Sequence, residues 1–170
     1  MVVGNPLLLN VVDLRRVAGT TRRIELDEEF TGLELSTVRV PSDRPVHIDV
    51  ILESSSGSIS ADGTLTVPWV GACRRCLEPV AGELSIEVAE VFEDRPTEGE
   101  TYPIVNDQID LEPLVRELSL LSIPLNPLCS EGCAGPIPDE IPVTVEDSGS
   151  DVAKKDPRWA ALDALRGEDG

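Results

Sequence analysis

An α+β fold, mostly antiparallel β-sheet with one packed amphipathic helix and a short C-terminal helix, is predicted by three features of this sequence. Val46, Ile48, Val50 and Leu52 alternate with His47, Asp49 and Ile51, the period-two pattern of a strand with one buried face. Leu111, Leu114, Val115, Leu118 and Leu121 recur at helical spacing until Pro124. Hydrophobic residues make up 41% of the chain and aromatics only 3%, which describes an aliphatic core suited to strands and is unlike the composition of a disordered chain. The 170 residues suffice for one domain with a sizeable core. We place that domain at residues 1–145 and assign 146–170 to a flexible linker and the short terminal helix.

In chain order, Pro6 to Val12 reads as a short strand, and Asp13 is set to cap a helical turn through Arg16 that Gly19 stops. From Arg22 to Glu29, Ile24 and Leu26 alternate with charged residues. Leu33, Leu35 and Val38 mark a further extended piece before Pro41, and the strand around Val46 to Leu52 follows. Ser54 to Gly57 is turn chemistry. Asp62-Gly63 predicts a hairpin turn between Ile59 on one side and Leu65, Val67 and Trp69 on the other. A second turn spans Gly71 to Pro79, and Leu84, Ile86, Val88 and Phe92 form the returning strand. Glu93 to Glu100, with Pro96 and Gly99, is an exposed loop. Asp110 is the expected N-cap of the leucine-rich helix. That helix packs its stripe on the sheet as core. The polar, Gly/Ser-rich run from Glu146 to Asp151 ends the domain. Beyond it, Asp156-Pro157 matches an N-cap followed by proline at the first helical position, with Trp159, Leu162 and Leu165 in one sector and Gly167 at the close.

Chemistry concentrates in the four cysteines. Cys73-Arg74-Arg75-Cys76 places two thiols two residues apart on the second turn, and Cys129 and Cys133 form another pair 52 residues after Cys76. Two such pairs brought together by folding are how structural zinc is commonly held. The long separation means a metal here would staple two parts of a domain folding for other reasons. Three readings stand side by side: a closed zinc site formed by Cys73, Cys76, Cys129 and Cys133, a redox-active Cys-x-x-Cys, and ordinary reduced thiols. The redox reading fits least, because a thioredoxin-type pair opens a helix, whereas Cys73 and Cys76 lie between two strand patterns and precede Pro79. Arg74 and Arg75 stand close enough in sequence to offset the excess negative charge of four thiolates on a divalent ion.

The formal net charge is -18, from 14 basic and 32 acidic residues. Phosphate binding draws on clustered Lys and Arg, and the basic residues here form no block longer than a pair. A basic protein partner suits this charge better than RNA. The apolar N-terminus, Met1 to Asn10, has no basic start and is broken by Pro6, so it does not read as a signal peptide. No run approaches the roughly 20 apolar residues that span a bilayer. The expected location is the cytoplasm, where cysteines are free or metal-bound. His47, the only histidine, sits in a strand pattern as an outward structural residue. There is no phosphate-binding glycine loop, and the reading is that the chain is not an enzyme.

Three stretches occur in the order found in one known family: Cys73-Arg-Arg-Cys-Leu-Glu-Pro79; Ile109 through Pro124 followed by Pro127-Leu128-Cys129; and Asp156-Pro-Arg-Trp-Ala-Ala-Leu162. In these the chain resembles the YceD family, named for large ribosomal RNA subunit accumulation, while the first seventy residues resemble it only in strand pattern. The resemblance implies a bacterial or organellar factor that supports synthesis, processing or stability of 23S rRNA in large-subunit ribosome biogenesis, with no enzymatic activity established for the family. Relatives often carry a further C-x-x-C-G after the cysteines that look like Cys129 and Cys133; here Gly135-Pro-Ile-Pro138 stands in that region. With the charge, the expected partner is a ribosomal protein or a large-subunit precursor, with RNA contact secondary. The alternatives are a direct RNA-binding zinc module, separable by a steep salt dependence of RNA affinity, and an enzyme acting on RNA or nucleotides, separable by turnover.

Overall fold

A computed structural model describes residues 5–135. The elements run β1 (Leu8–Asn10), α1 (Val12–Arg15), β2 (Thr21–Glu28), β3 (Glu34–Leu35), β4 (Val38–Arg39), β5 (Val46–Ser54), β6 (Ser58–Ala72), β7 (Pro79–Glu93), β8 (Tyr102–Pro103), β9 (Gln108–Asp110) and α2 (Glu112–Ser122). The expected C-terminal helix at Asp156 to Gly167 lies outside the described residues.

The long antiparallel hairpin β6–β7 is the spine. Its register runs from Ser58 opposite Glu93 to Ala72 opposite Pro79. On the other side of β6, β5 pairs along Ile59 to Thr66 and β4 pairs at Val70. β2 extends the sheet beyond β5, β3 beyond β4, and β8 adds a short parallel pairing to the end of β7. A separate two-stranded sheet joins β1 to β9.

Alternation puts Ile48, Val50, Leu52, Ile59, Leu65, Val67, Val88 and Phe92 on one face, and all are buried. Leu111, Leu114 and Val115 at the start of the helix, with Val11, Leu14 and Ile109, belong to the same core. The opposite face carries Arg23, Glu25, Asp49, Ile51, Asp62, Glu83 and Glu87, following the same register. A sheet with one wet face requires this alternation.

Four local expectations are corrected. Asp62-Gly63 makes no turn: β6 runs straight through it, with Gly63 opposite Val50 and Val88. A Cβ on Gly63 would collide with the Asp49 carbonyl oxygen and the Val50 Cα, so the glycine permits close approach of β5 instead of a reversal. The reversal lies one turn earlier, where the Ser55 N–H donates to the Ser58 carbonyl at 2.9 Å and Gly57 takes φ +93°. Asp13 does not cap α1; it sits in the first helical turn, the N-cap position is Val11, and Asn10 Oδ1 accepts from the Val12 N–H at 3.1 Å. Leu121 leaves the core stripe and is 77% exposed. Four residues on from Val115, Ser119 takes the inward place, buried with its hydroxyl unpartnered. The N-cap position of α2 is Leu111, one residue later than expected, and Asp110 stands just before it with its Oδ1 accepting from the Glu112 N–H at 2.9 Å. His47 faces outward as expected and pairs through Nδ1 with Asp27 Oδ1 at 2.8 Å.

Candidate metal centre

The tip of the β6–β7 hairpin is the six-residue knuckle Cys73 to Glu78. The Cys73 N–H donates to the Glu78 carbonyl at 2.8 Å and closes the strand pair, while the Leu77 N–H donates back to the Cys73 carbonyl at 2.9 Å. That tight return forces Leu77 into the left-handed region at φ 63° and leaves its side chain 71% exposed. Such a conformation is costly for a bulky residue and is retained where the surroundings over-determine it.

The second knuckle is delivered by the exit of α2. Ile123 ends the helix in extended conformation, its N–H bonded to the Ser119 carbonyl. The chain then crosses the base of the hairpin tip, where Pro127 lies against Gly71 and its carbonyl accepts from the Arg74 N–H at 2.9 Å. A side chain at position 71 would press on Val38 Cγ2 at 2.8 Å and the Thr37 carbonyl at 3.2 Å, so the glycine admits β4 to this end of β6, with Pro127 in ordinary contact on it. The Cys133 N–H closes on the Ser130 carbonyl at 3.2 Å. Arg75 reaches over and donates from Nη1 to the Cys133 carbonyl at 2.7 Å and to the Glu131 carbonyl at 3.4 Å, tying the two knuckles together.

As a result all four predicted residues, Cys73, Cys76, Cys129 and Cys133, converge with their sulfurs within 4.8 Å of one another. Cys73 Sγ lies 3.8 Å from Cys133 Sγ, and Cys76 Sγ lies 3.7 Å from Cys129 Sγ. A disulfide requires about 2.05 Å, and all four are free thiols. A tetrahedron with metal–sulfur bonds of about 2.3 Å has an edge of roughly 3.8 Å. The two separations match that edge, and the cluster is compatible with a four-thiolate metal site. Cys73 and Cys133 are buried, whereas Cys129 is exposed.

The electrostatics of the set are uneven. The N–H groups of Cys76 and Arg75 point at the Cys73 sulfur and lower its pKa to about 6 against its burial. At Cys76 the Glu78 N–H acts the same way, but desolvation and the neighbouring thiols prevail and push it up to about 12. Cys129 is raised, chiefly by its hydrogen bond with Cys133. One sulfur takes a negative charge readily and its neighbours then resist ionising. A bound divalent cation removes that resistance.

The two arginines beside the first pair play unequal parts. Arg75 clasps the second knuckle through carbonyls, a role that spacing gives no sign of, while Arg74 contributes its backbone N–H. The other pair stands far away. Arg22 and Arg23 register across β5 onto Ala61 and Asp62, roughly 36 to 40 Å along the strand from Cys73 at about 3.3 Å of rise per residue. Adjacent on a strand, they also face opposite ways. Arg22 donates to the Asn10 carbonyl, and Arg23 pairs with Asp49 at 2.7 Å. Arg15 bridges Asp94 and Asp107, and Arg116 pairs with Glu112. No basic face gathers Arg22, Arg23, Arg74 and Arg75.

Comparison with known proteins follows the same residues. The family described as "Large ribosomal RNA subunit accumulation protein YceD" matches residues 61–166, more than half of the chain, and the match spans all four cysteines. An uncharacterized protein of Mycobacterium tuberculosis is 30% identical over 98% of this chain and 88% of its own length. Uncharacterized protein YlbN of Bacillus subtilis is 30% identical over 86% of each. An uncharacterized protein of Mycobacterium leprae is 28% identical over 93% of this chain and 76% of its own length. No solved structure matches the chain.

Proposed function

The chain belongs to the YceD family, and on that premise we propose that it is a non-enzymatic factor of large ribosomal subunit biogenesis that supports 23S rRNA through contacts with protein. The observation that carries the protein-contact reading is charge. The chain bears a net -18, and Arg15, Arg22, Arg23, Arg75 and Arg116 all have partners within the fold. Surface of this kind attracts a basic ribosomal protein, or a protein-rich face of a large-subunit precursor, and repels phosphate at long range. The reading places the protein in the cytoplasm. Among the described residues no helix is long and apolar enough to cross a membrane.

Zinc held by Cys73, Cys76, Cys129 and Cys133 belongs to the same reading as a structural staple. The sulfur separations near 3.8 Å and the all-thiolate donor set suit that ion. A closed four-sulfur site leaves no open coordination position for chemistry. Its work is to hold the exit of α2 on the hairpin tip, and residues 1–145 form the domain it staples.

The deciding experiment is crosslinking in cells, followed by reconstitution. The chain should crosslink to protein of large-subunit precursors, and the association should weaken as salt rises, since exposed charges are screened over about 8 Å at physiological ionic strength. Efficient crosslinking to 23S rRNA that persists with purified RNA alone would overturn the protein-contact reading. Elemental analysis of the reduced protein should find about one zinc per chain; four freely titrating thiols and no metal would remove the staple.

A further inference from the structure

β7 is an edge strand for most of its length. Only Phe92 and Glu93 pair outward, with Tyr102 and Pro103 of β8. From Pro79 to Val91 no strand among the described residues takes its outer side. A long unpaired edge presents a row of N–H and C=O groups that pair readily with another extended chain. β8 already does so, briefly, at one end.

Where β8 stops, the edge opens into a groove of about 170 Å³ between β7, the loop leading into β8, and α2. Glu90, Glu100 and Glu117 line it together with Leu118 and Leu121. No cation lines the groove, and none of the three glutamates has an ion-pair partner among the described residues. Glu117 accepts from the Tyr102 hydroxyl at 2.8 Å, which fixes one carboxylate in place. Desolvation, and then the charge of Glu117, raises the pKa of Glu90, the signature of carboxylates held near each other without a counter-ion. Leu121, misplaced as a core residue, is 77% exposed at the rim. An apolar wall beside uncompensated carboxylates suits a long cationic side chain, whose methylenes lie on leucine while its head meets the acid.

We infer that this groove and the open edge of β7 form a docking site for an extended, lysine- or arginine-bearing protein segment, which adds a strand to β7 and seats one basic side chain between Glu90 and Glu117. Main-chain pairing supplies the affinity, and the acidic groove selects the charge, as in other recognition by strand addition. The inference gives the contact proposed above a location. The charge of the occupant is read from the groove itself.

The test uses the full chain and a blocked peptide of roughly ten residues alternating lysine and valine, about two strand lengths. A glutamate–valine peptide and a single-stranded RNA oligonucleotide serve as the other arms. The lysine peptide should protect β7 amides between Ala81 and Val91 from exchange, and the other two probes should not. Leu121→Ser and Glu90→Gln alter exposed or half-exposed positions and keep the fold. Each should weaken peptide binding at least about fivefold, a change of about 1 kcal/mol. Absence of binding, undiminished binding in both variants, or equal protection by RNA would overturn the inference. The same variants are then tested for precursor association. If the wild-type chain binds the peptide but never associates with precursor, the functional reading falls and the groove stands. If it associates with precursor but ignores the peptide, the reverse holds.

Discussion

The two ends of the β6–β7 hairpin are held by different physics. At the end formed by Ile59 and Phe92, both side chains are fully buried, and Leu52, Leu65 and Val88 share one apolar core with the helix residues Leu114 and Val115. At the other end the apolar layer thins. Trp69 covers Gly82, where an added Cβ would sit 2.7 Å from the indole ring, and beyond it lie the knuckle, the exposed Leu77 and the exit of α2. There the contacts are four sulfurs, one arginine clasp and a few backbone hydrogen bonds. One end is held by buried apolar side chains; the other brings together four sulfurs in an arrangement compatible with a metal site. The candidate metal centre thus lies at the rim of the apolar core, not within it.

The largest effect expected from breaking this contrast is at the core end. Phe92→Ala should lower global stability by about 3–5 kcal/mol, the usual cost of emptying an aromatic core site. Urea unfolding should show the loss equally with and without a zinc chelator. Dependence on chelator would mean that the two ends are not independent.

Next is Cys73→Ser, which removes a ligand and should abolish retention of zinc under mild chelation. The loss should exceed the roughly 10–100-fold cost of losing a second-shell partner. Amide exchange should accelerate at residues 69–82 and 123–135 together, while the Ile59 and Phe92 end keeps its protection. Unchanged exchange at both knuckles would show that the sulfurs do not hold them.

Arg75→Ala sharpens the comparison more gently. The sulfurs remain, but the clasp on the Cys133 and Glu131 carbonyls is lost. Zinc affinity should fall by about tenfold, at the low end for outer-shell changes, with little change in urea midpoint. Competition against a chromophoric chelator reads this directly.

The smallest effect lies on the wet face of the core end. The Arg23 guanidinium hydrogen-bonds Asp49 and holds its carboxyl below the usual range. A depressed folded-state pKa contributes stability that is present above the ordinary carboxylate value, about 3.9, and is lost as pH falls through the folded value. Because the pair is exposed, the contribution is small. NMR titration should find that Arg23→Ala returns the Asp49 midpoint toward its ordinary value, with stability at neutral pH nearly unchanged.

Several elements were legible from spacing because their causes are local. The strand at Val46 to Leu52, the knuckle at a hairpin tip and the helix ending near Pro124 all follow from periodicity and punctuation within a few residues. Other features had a signal that passed unread. Asn106 and Asp107 both take positive φ, at 51° and 57°, between Val105 and Gln108, which bridge each other. Such residues are typical of a two-residue hairpin turn, and this one leads into β9, where Ile109 pairs with Leu9. Still others had no local signal. Nothing in the helical spacing says that Ser119 faces inward and Leu121 outward, because the direction of the stripe is set by what the helix lies against.

The sequence by itself determined the number and kind of sulfur donors, the loop that carries the first pair, the acidic charge and the family. Those depend on residue identity and on spacing along the chain. Tertiary structure alone decided that the second pair meets the first, that Arg75 clasps the far knuckle, and that Asp62-Gly63 continues a strand. Each of these depends on a segment distant in sequence. Pro127 must cross at Gly71 before Cys129 and Cys133 can reach Cys73 and Cys76, and the β5 backbone must crowd Gly63 before that glycine is needed for closeness instead of for a turn. Spacing along the chain specifies what a segment can do, and the neighbour brought against it by folding selects which of those possibilities is realised.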